Sequence, residues 1–347
     1  IATDADTQFV FVDTPGFQTR HTVKGTAALN RNLNKTVQSV LGDVDVVLFL
    51  VDAGRFGLDD AKVLSMIPKG KPVFLIANKL DLIHRRADEG ADVYFHHVIV
   101  VEPGAEVTVL ETGMTGARSN GVIEAEVARG ARLHHISAKR AGHQKLGISH
   151  IFARVETEAL FKSFTLSVNG TLMRHEGVID IVGDDAVAHI AGAVLGDGHV
   201  GAFHHDDTVF VTHAGERCES RQVFKKVLKN GAEGIFQGKI LVKPGAQKTD
   251  GYQISQGLLL DEGSQFLAKP ELEIYADDVK CSHGSTTGAL DETALFYLRS
   301  RGVPKEQAIV LLVLSFLADA LDEIEDERLR DDILTRLDEW LTSRAKR

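Results

Sequence analysis

SRQVFKKVLKNGAEGIFQGKILVKPGAQKTDGYQISQGLLLDEGSQFLAKPELEIYADDVKCSHGSTTGALDETALFYLRSRGVP, residues 220–304, is a succession of short runs rich in β-branched and aromatic side chains, closed by a segment of helical spacing. Glycines 231, 245 and 263 separate the runs. Upstream the same punctuation continues at 170, 183, 198 and 215, at intervals of 13 to 18 residues. A β-sandwich shows turn signals every 8–12 residues. Longer and even spacing over so many turns suits a β-solenoid, in which each coil stacks on the last. No strict consensus repeats, so a sandwich or barrel stays open as the alternative. The texture begins near Tyr94, with HHVIVVE, AEVTVLE, GVIEAEV and ARLHHIS, and no amphipathic helix interrupts it before about residue 291.

The tail is helical. DETALFYLRSRG (291–302) offers Asp291 as an N-cap and Gly302 as a stop. Pro304 opens a second helix whose core, IVLLVLSFLA (309–318), is apolar nearly all round and so must be buried in its own domain or against a partner. The last segment, DERLRDDILTRLDEWLTSR, is amphipathic and heavily charged.

Residues 8–90 read differently. QFVFVD, DVVLFLVDA (45–53) and KPVFLIANKLD (71–81) are buried-type strands, and residues 25–41 have helical spacing. Strands alternating with helices imply a parallel sheet. The boundaries expected are therefore 1–90 for an α/β segment, 91–288 for the β-rich core and 289–347 for the helical end.

Composition narrows the function. The 347 residues carry a net charge of -10. Residues 1–90 are balanced, with 11 basic and 11 acidic side chains, so the excess negative charge lies beyond them. Phosphate binding needs clustered Lys and Arg, so no nucleic-acid partner is expected there. No run of about 18 apolar residues predicts a membrane span, and the polar start IATDADTQ does not resemble a signal peptide. Two cysteines, Cys218 and Cys281, suggest no disulfide framework, and a cytoplasmic location is expected.

Asp13-Thr14-Pro15-Gly16 and Asn78-Lys79-Leu80-Asp81 both follow strands. The first resembles the GTPase element in which Asp holds Mg²⁺ through water and the Gly N–H senses the γ-phosphate. The second resembles the element in which Asn and Asp read guanine and the Lys stem covers its plane. With the text between them, residues 7–88 resemble the Era family of ribosome-associated GTPases. Asp13, Gly16, Asn78, Lys79 and Asp81 are then a vestigial GTP site, because the residues before Asp13 hold no G-x-x-x-x-G-K-[ST] loop to cradle phosphates. GTP hydrolysis is not expected. Gly234-Ile-Phe-Gln-Gly238-Lys239 has the wrong spacing for that loop and reads as a solenoid turn. Ser137-Ala138-Lys139 reads as a chance match to a third GTPase element.

From about Phe95 to Trp340, and most specifically over 220–304, the sequence resembles the SufD family of the Suf iron–sulfur assembly machinery. The resemblance implies a right-handed parallel β-helix followed by a C-terminal helical domain. It implies a non-catalytic scaffold acting with SufB, through the β-helix, and with the SufC ATPase, through the C-terminal helices. A nascent Fe–S cluster would be built at the SufB–SufD interface. The join with the Era-like sequence falls near residues 88–95. An Era-like GTP-binding, ribosome-associated role is the alternative.

Iron–sulfur chemistry needs thiolate or imidazole donors that iron and sulfide can reach. On a strand, Cys281 and His283 sit at i and i+2 and point the same way. The resemblance gives His283 the ligand role, with Cys281 a second donor. Cys218 reads as a packing residue. His204, His205, Asp206, Asp207 and His213 read as a solvated turn and satisfied strand histidines, with a mixed iron site as the alternative. Glu271, Glu273, Asp277 and Asp278 read as a solvated face that could attract Fe²⁺.

Overall fold

The computed structural model describes residues 2–4, 7–9, 47–50, 73–76, 79–83, 90–112, 117–140, 144–200 and 202–345. Two compact units divide the chain, 1–79 and 80–347. In the first, β1 (Ala2–Asp4) pairs antiparallel with β2 (Thr7–Phe9), and β3 (Val47–Leu50) pairs parallel with β4 (Val73–Ile76). The parallel pair agrees with the sheet predicted there. The helix expected over 25–41 lies outside the described residues.

The second unit is a parallel β-solenoid of about six coils, each made of two strands. Seven strands build one sheet: β6 (Asp92–Val101), β8 (Arg118–Val127), β10 (Leu146–Val155), β12 (Leu172–Ile181), β14 (His204–His213), β16 (Glu233–Val242) and β18 (Gln265–Ile274). Eight strands build the other: β5 (Lys79–Ile83), β7 (Glu106–Thr112), β9 (Arg132–Arg140), β11 (Leu160–Val168), β13 (Val187–Asp197), β15 (Glu219–Lys229), β17 (Asp250–Leu259) and β19 (Lys280–Ala289). The eight-stranded sheet thus starts at Lys79, ahead of the join expected near 88–95. Gly170, Gly183, Gly198, Gly215, Gly231, Gly245 and Gly263 all fall between strands. The turn periodicity was therefore real, with two such turns per coil.

One column of turns shows how coils are stacked. Gly104, Gly130, Glu158, Asp185, Arg217 and Lys248 all have left-handed φ, between 56° and 72°. Each donates its N–H to a carbonyl of the next coil, on Arg129, Thr157, Asp184, Glu216, Gln247 and Asp278, at 2.5–3.1 Å. The strained conformation aims a donor along the solenoid axis that an ordinary turn would leave to water.

Two cores follow from strand alternation. Inward side chains such as Leu133, Phe161, Ile179, Ile190, Phe224 and Phe236 fill the solenoid. The outward face of the eight-stranded sheet is covered by helices, so β11 and β13 are buried on both faces and read as near-continuous apolar runs. Here Phe164, Leu166, Ala193, Leu195 and Val227 meet Val313, Leu317, Leu321, Ile333, Leu337 and Trp340.

The helices are α1 (Glu292–Ser300), α2 (Lys305–Leu321) and α3 (Glu327–Ala345). Asp291 caps α1 as predicted, accepting from the N–H groups of Thr293 and Ala294 at 2.8 and 3.1 Å. Helix α2 packs on β13 and β15 and against α3. This accounts for its apolar run without a partner: Leu317 is fully buried inside the chain, a contribution of roughly 1.5–3 kcal/mol for one leucine. Acidic residues after α2 tie it to the sheet. Glu323 meets His189 Nδ1 at 2.9 Å and Arg221 Nε at 3.0 Å, and Glu325 meets Lys162 at 2.7 Å.

Two sequence readings need correction, and a third, the chance match at Ser137, agrees with its place in the fold. Gly234–Lys239 lies inside β16 and is no turn. Two of its inward positions are glycine because large side chains from the facing sheet, Lys226, Leu228 and Gln253, occupy that space. Residues 204–213 are a strand and no solvated turn. Ser137-Ala138-Lys139 lies on β9, where Ser137 Oγ donates to the buried Glu111 at 2.9 Å.

Candidate metal centre

β18 and β19 form the last coil and are edge strands of their sheets. Inward-facing residues of earlier coils are covered by the coil that follows. Those of β19 have no coil beyond them among the described residues, and most of the strand is exposed. His283 is exposed there. Cys281 is half-buried, packed beside the small cluster of Ile240, Val242, Ala246 and Ala276. Its Sγ lies against the bare Cα of Gly251, where an added Cβ would be 3.2 Å from the sulfur. Burial pushes the Cys281 thiol above its ordinary value. A neutral thiol at neutral pH is a poor ligand until a metal displaces its proton. Of the two candidate donors, His283 is the more exposed.

The strand keeps the pair on one side, roughly 7 Å apart along β19. In register, Cys281 stands beside Gly251 and His283 beside Gln253, which in turn stands beside Gln222. Gln253 Nε2 donates to Gln222 Oε1 at 2.8 Å. Sequence reading missed this amide column. Its signal is a step of about thirty residues, from 222 to 253 to 283, that only the coil register makes visible.

The remaining candidates are not gathered into a site. Cys218 is fully buried, its Sγ 3.1 Å from the Gly183 carbonyl oxygen. His205, Asp207 and His213 point inward and are buried, whereas His204 and Asp206 point outward. Asp207 is held by Lys226 at 2.7 Å, deep in the solenoid. Burial lowers the Lys226 pKa, and the Asp207 carboxylate opposes it. Glu271 is paired with Lys269, and Glu273 with Lys239 and the Tyr275 hydroxyl. Among the described residues, no three His, Cys, Asp or Glu side chains converge as a metal site. Asp13, Gly16 and Asn78 lie outside the described residues. Lys79 and Asp81 lie on β5, and their side chains are outside the described set.

The fold defines a class of protein: a two-sheet parallel solenoid with a helical cap on one face, here with a Cys-x-His pair on its terminal edge strand. Comparison with known proteins gives that class a family. The profile described as "SUF system FeS cluster assembly, SufBD core domain" matches residues 84–316, and the chain belongs to this family of iron–sulfur cluster assembly proteins. It is 33% identical to the iron–sulfur cluster assembly protein SufD of Escherichia coli (strain K12) over 265 residues, 73% of this chain and 60% of that protein. It is 28% identical to the SufBD family protein ML0594 of Mycobacterium leprae (strain TN), over 77% of this chain and 69% of that protein. The chain thus spans about three-fifths of the length of the Escherichia coli relative. Residues 1–79 match a different profile, "50S ribosome-binding GTPase". The GTPase Era of Nitrosomonas eutropha is 49% identical over 83 residues, 24% of this chain and 27% of that protein. No helix among the described residues is long and apolar enough to cross a membrane.

Proposed function

We propose that the chain is a non-catalytic, SufD-like scaffold that holds a nascent iron–sulfur cluster with His283, and with Cys281 as second donor, at the open edge of its last coil. The observation that carries this reading is the exposed imidazole on an edge strand whose inward face no further coil covers among the described residues. Two donors are half a ligand set for a metal that takes four. A SufB-like subunit pairing along β18 and β19 would supply the rest. The cluster is the cargo of this site, passed on once built.

A SufC-like ATPase would engage the C-terminal helices. Phe296 and Tyr297 on α1 and Leu311 on α2 are the exposed apolar side chains available for it. Leu317 is not available, because it is consumed in the core beneath α2. A cytoplasmic location belongs to this reading. GTP binding at Asp13, Gly16, Asn78, Lys79 and Asp81 has support only from the likeness of the N-terminal segment to ribosome-binding GTPases, whose profile match ends at residue 79, before Asp81.

Co-expression with SufB and SufC subunits, anaerobic purification, and iron and sulfide analysis test the assignment. His283→Ala is expected to form the complex and lose most of its cluster. A complex of unchanged cluster content would remove His283 from the site.

A further inference from the structure

Gly238, in the Gly-Ile-Phe-Gln-Gly-Lys stretch that resembles a phosphate loop, has a use at the open edge. A Cβ there would stand 2.0 Å from Gln253 Nε2 and 2.7 Å from its Cδ. Only glycine leaves room for that amide inside the solenoid. Gln253 is fully buried, and its orientation is fixed by its neighbours. Gln222 Nε2 donates to the Lys239 carbonyl at 3.5 Å, which turns Gln222 Oε1 toward Gln253. That oxygen receives Gln253 Nε2 at 2.8 Å. The two atoms of an amide head point apart, so Gln253 Oε1 lies on the side away from β15. It has no hydrogen-bond partner among the described residues. A buried acceptor left unpaired is costly.

The next residue in the column is His283, one strand spacing away, about 4.8 Å. We propose that Gln253 is the residue that orients His283: the two make no hydrogen bond in this structure, and a turn of the exposed imidazole brings its Nδ1–H onto the unpartnered Oε1, leaving Nε2 with the free lone pair at the open edge. Metal-bound imidazoles take this arrangement, with the second nitrogen donating to a fixed oxygen that sets tautomer and ring angle. Gln253 is a positioning residue and touches no metal. Its functional meaning rests on the ligand reading of His283, but the hydrogen bond itself does not.

The full chain, with ¹⁵N-labelled histidine, reports the tautomer directly by proton–nitrogen multiple-bond spectra above the imidazole titration. The His283 signals are those missing in His283→Ala. The wild type is expected to hold the Nδ1–H form. Gln253→Met, equal in length and without an acceptor, is expected to revert to the Nε2–H form that free imidazole prefers. Gly238→Ala, which crowds the amide and leaves Gln253 in place, is expected to do the same and serves if the methionine variant does not fold. An Nε2–H wild type, or a tautomer unmoved in both variants, overturns the proposal. In the complex with SufB and SufC subunits, Gln253→Met is expected to weaken iron retention about 10–100-fold. A tautomer that follows Gln253 while His283→Ala keeps its cluster upholds the orientation and overturns only the ligand reading. Cluster loss in His283→Ala with no tautomer change in the variants does the reverse.

Discussion

Acid should loosen this solenoid through its interior histidines, and His213 allows the effect to be isolated. The ring is fully buried at the end of β14, beside Ile181 and Val242 in register. Its Nε2 lies 2.7 Å from Ser220 Oγ. Burial alone pushes its pKa down, from the ordinary 6.5 to about 4. The unfolded chain takes up the proton below about pH 6.5, whereas the folded chain refuses it until about pH 4. Stability is therefore fully present above 6.5, falls as the pH drops through that window, and falls no further below 4. Between pH 6.5 and 5 the loss is about 1.5 pH units at 1.4 kcal/mol each, or about 2 kcal/mol. His175 and His205, lowered to about 4 and about 3 chiefly by burial, add losses of the same sign. His213→Leu removes one titration. It also strands the Ser220 hydroxyl, but that cost does not vary with pH and cancels in a difference. Urea unfolding followed by circular dichroism at about pH 7.5 and about pH 5 should show the variant losing about 2 kcal/mol less than the wild type. Equal losses in the two proteins would refute the burial argument.

Two further outcomes follow from the packing. At Gly183 a Cβ would stand 1.9 Å from the Thr157 amide nitrogen, backbone against backbone between successive coils. Gly183→Ala should cost more than about 3 kcal/mol and yield little soluble protein, while Gly245→Ala, where nothing lies within 4 Å, should melt with the wild type. Glu323→Gln removes the charge that His189 and Arg221 share. Allowing for its partial exposure, the loss should be about 1 kcal/mol, seen as a melting point lower by about 2–4 °C at low salt and a smaller difference at high salt.

The sequence carried the architecture because its local signals agree with one another. Turn glycines such as Gly215 and Gly263 mark strand ends, β13 reads as apolar on both faces because both are covered, and Asp291 caps the helix it precedes. The Cys281–His283 pair was legible because strand alternation needs only two residues of context. The environment of the pair was not. Gln253 and Lys226 read as ordinary polar residues until the register places them inside. That register cannot be counted off, since the step between coils varies from 26 residues, Asp92 to Arg118, to 32, Leu172 to His204. The apolar run of α2 left two explanations open for a related reason: hydrophobicity tells that a helix is covered, and only packing tells by what. Gly234 and Gly238 misled in the opposite way, since a glycine that ends a strand and a glycine that makes room in one look alike in sequence.

The column of left-handed turns from Gly104 to Lys248 hands one hydrogen bond from each coil to the next and none further. Its correlation length is therefore short. A coil knows its neighbour and has little information about the coil beyond, much as in a one-dimensional chain of coupled elements. An alteration near β5 is paid out over the first coil or two and has faded long before it reaches His283. In such a molecule a change in the first coil and the shape of the far edge are only weakly coupled, because the turn column links each coil to its neighbour alone.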